Sequence, residues 1–246
     1  MSEVAQPAPL RPEPDHADGP EVAPVTESLV TLDEIREDRT VSSLITGADR
    51  VMEGLGYTEH GFRHATLVAR IAFNVLTRLG FDDRTASLAT IAGYLHDIGN
   101  SVARENHGPT GAILAYDLLK HRMRLDDLMP VLAAIGNHEE ENGQAVGAVS
   151  AAVILADKSD VHRSRVRKSG QPVFDIHDRV NYAAEQSFLR VDSSARTVTL
   201  ELTIDTQISQ VMEYFEIFLH RMMMCRRAAE RLDCQFKITA NGAALL

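Results

Sequence analysis

The sequence predicts a mainly α protein: a bundle of short helices with a small C-terminal α+β unit of β-β-α-β order. Three observations lead there. Apolar residues recur at helical spacing from about residue 31 to about Glu185. Gly and Pro interrupt those stripes at short intervals. After Glu185 the apolar period switches from 3.6 to 2. With 246 residues, 44% of them hydrophobic, the chain can bury one substantial core.

Residues 1–26 hold Pro7, Pro9, Pro12, Pro14, Pro20 and Pro24 among Ala, Glu and Asp. Such a segment has too little apolar surface to order itself and is expected to be a disordered tail. The helical domain is expected over 27–185. Thr31 is placed to N-cap "LDEIRED". Val68, Ile71, Ala72, Val75 and Leu79 form one stripe, and Leu88, Ile91, Ala92 and Leu95 another. Leu114 with Leu118, then Leu128, Val131 and Ile135, then Val149, Val153 and Ile154 continue the pattern. Gly80, Gly99, Gly108–Pro109, Pro130 early in its helix, and Asn142–Gly143 punctuate it, giving six or seven helices without an internal repeat.

Residues 186–246 are expected to form the second unit. In "RTVTLELTI" Val198, Leu200, Leu202 and Ile204 face one way, and Thr197, Thr199, Glu201 and Thr203 the other. "SFLRV" is its hairpin partner across Asp192–Ser193–Ser194. A helix from about Gln207 to Leu232 follows, and "CQFKITANG" alternates again. Met222, Met223 and Met224 read as core, with a dimer face as the alternative. The unit is expected to mediate a homodimer or to cap the bundle. His220 and the pair His177–Asp178 read as solvated positions.

Thirty-five acidic residues against 25 basic give a formal net charge of −10. That balance disfavours general nucleic-acid binding and anionic membranes. A small phosphorylated substrate stays compatible, because a bound cation outweighs the global field locally. Cys225 and Cys234 form no CxxC and read as reduced thiols. "MSEVAQPAPLRPEPDH" lacks the basic start and apolar run of a leader, and no stretch reaches the ~18 apolar residues of a membrane span. A cytoplasmic protein without a membrane partner is expected.

"GYLHDIGNSVARENHG" places His96 and Asp97 side by side at the end of an apolar helix. His64 continues the stripe of Val68 one turn earlier, His138 continues that of Ile135, and Asp157 lies one turn beyond Val153. His107 stands at a predicted helix start before Gly108–Pro109. Several helices thus each end an apolar stripe in a residue able to bind metal. Buried without partners, these groups would cost roughly 1–3 kcal/mol each, and a metal centre that uses their lone pairs removes the penalty. Neighbours on a helix point ~100° apart, but Gly99 is expected to stop the helix and loosen the geometry so that both can straddle one ion. Asp97, with two oxygens, is then able to tie two ions together.

"FRHATLVA", "LHDIGN", "ENHGPTGA", "IGNHEE" and "ILADKSD" together resemble the HD-domain metal-dependent phosphohydrolase superfamily, a likeness running from about Tyr57 to Arg167. The resemblance implies an all-α bundle with two divalent cations drawn from Mn, Fe, Co, Ni, Zn or Mg. It implies His64, His96, Asp97 and Asp157 as ligands of the first and Asp97, His107 and His138 as ligands of the second. "HGFRHA" is similar to the "HNxxHA" of cyclic-nucleotide phosphodiesterases, which makes His60 a candidate general acid. Helical spacing past Asp157 puts Lys158 and Arg165 on one side, where they or Arg163 and Arg167 can hold a phosphate oxygen. Relatives that cut cyclic di-GMP carry a Gly-Tyr-Pro signature after paired histidines. Here Asn137 replaces one histidine and no such signature follows.

The expected chemistry is hydrolysis of a phosphate ester, of a nucleotide or another small phosphoester. Two ions ~3.5–4 Å apart lower the pKa of a bridging water, whose hydroxide attacks phosphorus in line. His60 and Asp97 serve the reacting atoms, and Lys158 and Arg165 the phosphate. The alternatives are a metal- and nucleotide-binding sensor that signals through the C-terminal unit, and a protein in which metal is structural.

Overall fold

The computed structural model describes residues 30–167 and 176–245. The tail expected over 1–26 lies outside the described residues. Among those residues the first unit contains eight helices: α1 (Leu32–Glu37), α2 (Arg39–Gly54), α3 (Phe62–Arg78), α4 (Asp83–Leu95), α5 (His107–Leu119), α6 (Leu125–Gly136), α7 (Ala148–Lys158) and α8 (Ile176–Ala183). Single 3₁₀ turns at Ile98–Ser101 and Arg163–Arg165 punctuate them.

The helix count exceeds the sequence estimate partly because of Asp38. Its carboxylate accepts from the backbone of Thr40 and Val41, so α2 starts one residue after α1 ends. Thr31 caps α1 as expected, in a reciprocal box with Glu34. Pro130 lies inside its helix, at the sixth of the 12 residues of α6 and so deeper than the early position expected. The missing N–H removes one intrahelical bond there.

Helix α3 buries one stripe. Helices α4 and α7 are different: α4 is buried on nearly every side from Leu88 onward, and α7 is buried from Val149 to Lys158. A helix that is apolar all round belongs at the centre of a bundle. Helix α7 packs against α3, α4, α6 and α9, the helix of the C-terminal unit. Polar residues at the C-terminal ends of α4 and α7 are therefore surrounded by protein.

The second unit contains β1 (Ala184–Asp192), β2 (Thr197–Ile204), α9 (Val211–Arg231), β3 (Gln235–Ala240) and β4 (Ala243–Ala244), with strands in the order β1-β2-β3-β4. Strand β2 is antiparallel to β1, pairing Leu200 with Leu189, and parallel to β3, pairing Val198 with Phe236. The parallel pair needs a crossover, which α9 supplies. Strand β4 was not expected. Asn241 and Gly242 both have positive φ, as a two-residue type I′ hairpin requires, and they turn the chain back onto β3.

Helix α9 begins four residues later than expected, because Gln210 and Glu213 form its capping box. It kinks at Phe218. Met222, Met224 and Cys225 are buried, while Met223, His177 and His220 are exposed. Both cysteines are free and buried. Burial pushes the Cys225 thiol up to about 12 and raises that of Cys234. Ellman's reagent at pH 8 is therefore expected to label neither thiol in the folded chain and both in denaturant. Rapid native labelling of Cys225 would contradict its packing. No helix among the described residues is long and apolar enough to cross a membrane.

Candidate metal centre

His64 lies in the first turn of α3, and His96 and Asp97 fill the step between α4 and the following 3₁₀ turn. His107 opens α5, His138 stands two residues past α6, and Asp157 is the penultimate residue of α7. All six are buried. The structure brings all six together.

The step after α4 corrects one expectation. Gly99 does not stop the helix by adopting a left-handed conformation; the chain simply tightens into a 3₁₀ turn. Glycine is required because α5 passes against it. A Cβ there would lie 1.9 Å from the His107 carbonyl oxygen and 2.6 Å from the Gly111 nitrogen. That close approach sets His107 beside Asp97.

The four imidazoles are oriented by one device. Nδ1 of His96 lies 2.8 Å from the Gly93 carbonyl, and Nδ1 of His138 lies 2.6 Å from that of Ile135. Nδ1 of His107 lies 2.9 Å from the Arg104 carbonyl and 2.7 Å from a Glu139 oxygen. Nδ1 of His64 lies 2.7 Å from Oδ2 of Asp160. Each of these acceptors takes a proton from Nδ1, which leaves the lone pair on Nε2. Those Nε2 atoms meet in pairs, 3.2 Å apart for His64 and His96 and 3.0 Å for His107 and His138. Facing lone pairs repel unless a cation lies among them.

Asp97 joins the two pairs. Its Oδ2 lies 3.5 Å from Nε2 of His64 and 3.3 Å from that of His96. Its Oδ1 lies 3.5 Å from Nε2 of both His107 and His138. On the first side Asp157 adds Oδ1, 3.3 Å from His64. Oδ1 of Asp97 also accepts from Asn100, whereas the buried Oδ2 has no hydrogen-bond donor. A buried carboxylate oxygen without a donor, set among imidazole lone pairs, fits a divalent cation. His64–His96–Asp97, Asp97–His107–His138 and His96–His138–Asp157 each gather ligand atoms closely enough to hold an ion.

The charges point the same way. Burial works against a charged His96, but Asp97 and Asp157 outweigh it and raise the ring to about 10, so without a bound cation Nε2 of His96 takes up a proton at the place a cation would occupy. Burial, reinforced by His138, pushes His107 down to about 4. Against burial, His96 holds Asp97 well below the usual carboxylate range, and Lys158 does the same for Asp157. The carboxylates stay ionised and favour positive charge on the His64–His96 side, while His107 stays neutral and keeps a lone pair for a cation on the other.

Residues that the motif reading missed support the ligands. Asp160 accepts from Arg63 at 2.8 and 3.3 Å as well as from His64. Glu139 braces His107 and accepts from the Gly108 backbone. Such partners fix ring orientation, and losing one typically weakens metal binding 10–100-fold. Asp160→Asn is therefore expected to weaken metal binding by about tenfold or more, read by calorimetric titration of the metal-stripped chain. Unchanged affinity would remove Asp160 from this role.

The expected phosphate ligands are placed differently from the prediction. Helix α7 ends at Lys158, so Lys158 and Arg165 do not share a helical face. Lys158 donates to Oδ2 of Asp157 at 2.6 Å and lies 3.8 Å from Glu140. Arg221 of α9 in turn holds Glu140 at 2.7 Å. A chain of charges thus runs from the C-terminal unit to Asp157. Arg165 donates to the carbonyls of Asp160 and Glu59 and to Nε2 of His60. Arg163 pairs with Glu185, and Arg167 with Asp49, away from the centre. His60 directs Nδ1 at the Thr58 carbonyl. Its enclosure by protein, then the Arg165 charge, holds the ring well below its ordinary value, so it is neutral here and has no proton on Nε2. The general-acid role expected of His60 requires Arg165 to release that nitrogen.

Comparison with known proteins agrees with this geometry. An uncharacterized protein of Methanocaldococcus jannaschii, MJ1020, is 27% identical over 209 residues, covering 74% of this chain and 79% of that protein. Ribonuclease Y of Thermus thermophilus is 34% identical over 116 residues, 46% of this chain but 18% of the ribonuclease, so the chain spans under a fifth of that relative. The HD domain family matches residues 61–183, half of the chain and the span that carries all six clustered residues. The chain belongs to the HD domain family, with His64, His96, Asp97, His107, His138 and Asp157 forming a buried cluster able to bind metal.

Proposed function

We propose that the chain hydrolyses a phosphate ester, of a nucleotide or another small phosphoester, at a centre of two divalent cations. His64, His96, Asp157 and Oδ2 of Asp97 would hold one, and His107, His138 and Oδ1 of Asp97 the other. The observation that carries this reading is Asp97 itself, whose two oxygens face two separate pairs of imidazole lone pairs. When bound, such cations supply Lewis-acid stabilisation of phosphoryl charge and make water nucleophilic at neutral pH. Imidazole with carboxylate suits Mn, Fe, Co, Ni or Zn, with Mg at a more oxygen-rich position.

The chain's own residues do the rest. The protons on Nδ1 fix all four rings, so the ligands need little reorganisation. Lys158 keeps Asp157 ionised and in place. Arg165 and His60 form one unit at the rim, in which either can meet the substrate when their mutual bond opens. The relative named as a ribonuclease supports a nucleotide phosphodiester as the class to try first. The acidic balance of this chain favours a small ester over a long polyanion.

The test is turnover of bis(p-nitrophenyl) phosphate and p-nitrophenyl phosphate by the full chain loaded in turn with each of these cations. Activity abolished by chelation and restored by a cation is expected, and the preferred ester separates diesterase from monoesterase. Metal-loaded protein that turns over neither ester, nor any mononucleotide or dinucleotide, would overturn the proposal. One observation favours the sensor alternative: the Arg221–Glu140–Lys158–Asp157 chain couples α9 to the centre. That reading requires nucleotide affinity with negligible turnover.

A further inference from the structure

We propose that Arg104, tethered by Tyr57, is the cation that grips a non-bridging phosphoryl oxygen of the substrate; this rests on the phosphohydrolase reading above. Five cationic side chains surround the centre, and four are already engaged. Arg63 is paired with Glu59 and Asp160, Lys158 with Asp157 and Glu140, and Arg221 with Glu140. Arg165 is held by two backbone carbonyls and His60, with Oδ2 of Asp160 3.7 Å away. Arg104 alone among these five has no carboxylate within ion-pair distance among the described residues. Its Nη1 makes only long contacts, 3.4 Å to Oδ1 of Asn100 and 3.5 and 3.4 Å to Nδ1 and Nε2 of His107. Near-equal distances to both ring nitrogens place that atom over the imidazole rather than at one lone pair. A guanidinium carries five N–H donors, and among the described residues only those on Nη1 meet an acceptor, at long range.

The position matters as much as the free charge. His107 and Asn100 are the groups against which Arg104 rests, and both touch Oδ1 of Asp97. Once cations occupy the centre, a permanent cation beside it is repelled unless an anion comes between them. A carboxylate from the chain would cancel the charge, and among the described residues none lies within ion-pair distance. A phosphoryl group supplies several anionic oxygens, and the guanidinium fork matches their spacing. The side chain is partly exposed, so a ligand from solvent can reach it. Its head lies 5.2 Å from the centroid of the Tyr57 ring, itself half open to solvent. That cation–π contact restrains the guanidinium without using its in-plane donors.

The test uses the metal-loaded full chain, p-nitrophenyl phosphate and its bis ester as substrates, and inorganic phosphate and AMP as competing ligands. Removing a contact made equally in ground and transition states raises KM and leaves kcat. Arg104→Ala is expected to raise KM and the phosphate inhibition constant by about tenfold or more, the scale of one charge-assisted hydrogen bond, with unchanged metal content. Arg104→Lys should recover part of the loss. Tyr57→Ala should fall between wild type and Arg104→Ala. If Arg104→Ala does not fold, Arg104→Gln replaces it under the same criteria. KM and inhibition constants within about twofold of wild type, at equal metal content, would overturn the assignment while leaving the hydrolase reading intact. A metal-loaded wild type that neither turns over these esters nor binds phosphate would overturn both.

Discussion

Asp97→Asn is expected to abolish two-cation binding and to lower phosphoester turnover on the order of 10³-fold, equivalent to about 4 kcal/mol of transition-state stabilisation. The side chain keeps its shape, and Asn100 is still able to meet an oxygen. What changes is the second oxygen, which becomes an amide nitrogen whose N–H atoms point at one imidazole pair. One side of Asp97 or the other thereby loses its anionic ligand, and the negative charge that both sides share disappears. Metal stoichiometry by elemental analysis and kcat/KM on the bis ester check the two halves separately. A variant that keeps full metal content and full activity would show that Asp97 is not the bridge.

Gly99→Ala is expected to cost about 3 kcal/mol or more and to lower Tm by roughly 6–12 °C for a chain of this size. The new methyl carbon would lie 1.9 Å from one backbone atom of α5 and 2.6 Å from another. Backbone cannot rotate out of the way as a side chain does, so the 3₁₀ turn and α5 must separate. His107 opens α5, so metal affinity on its side of Asp97 should fall with stability. Gly54→Ala is the control: nothing lies within 4 Å of its Cβ position, and the site is helical. There alanine should be neutral or stabilise by up to about 1 kcal/mol. Equal Tm values for the two variants would contradict the close approach of α5 to Gly99.

Periodicity reached the ligand cluster because its residues end apolar stripes. His64 and His138 were legible as inward-facing from Val68 and Ile135 alone, and Asp97 from a dipeptide at the end of a buried helix. Contacts between segments were not legible. Asp160 lies three residues past Asp157, but its bond to His64 exists because the chain leaves α7 after Lys158. Extending that helix in thought put Lys158 and Arg165 on a shared face that the structure does not contain. Glu140 meets Arg221 across 81 residues, which no local pattern encodes. Arg104 is not distinguished inside "NSVARENHG", because what sets it apart is the lack of a carboxylate partner among the described residues, a property of the fold. Local chemistry was also overlooked. Asp38 before Thr40 was a readable cap, and Asn241–Gly242 a readable hairpin turn, so α1/α2 and β4 were within reach of the sequence.

The most direct test is crystallography of the chain grown with Mn²⁺ or Zn²⁺, with anomalous diffraction collected at the metal edge. Two peaks are expected, one beside each oxygen of Asp97, with Nε2 of His64 and His96 on the first and Nε2 of His107 and His138 on the second. A single peak, or peaks that leave these four nitrogens unligated, would contradict the two-cation centre.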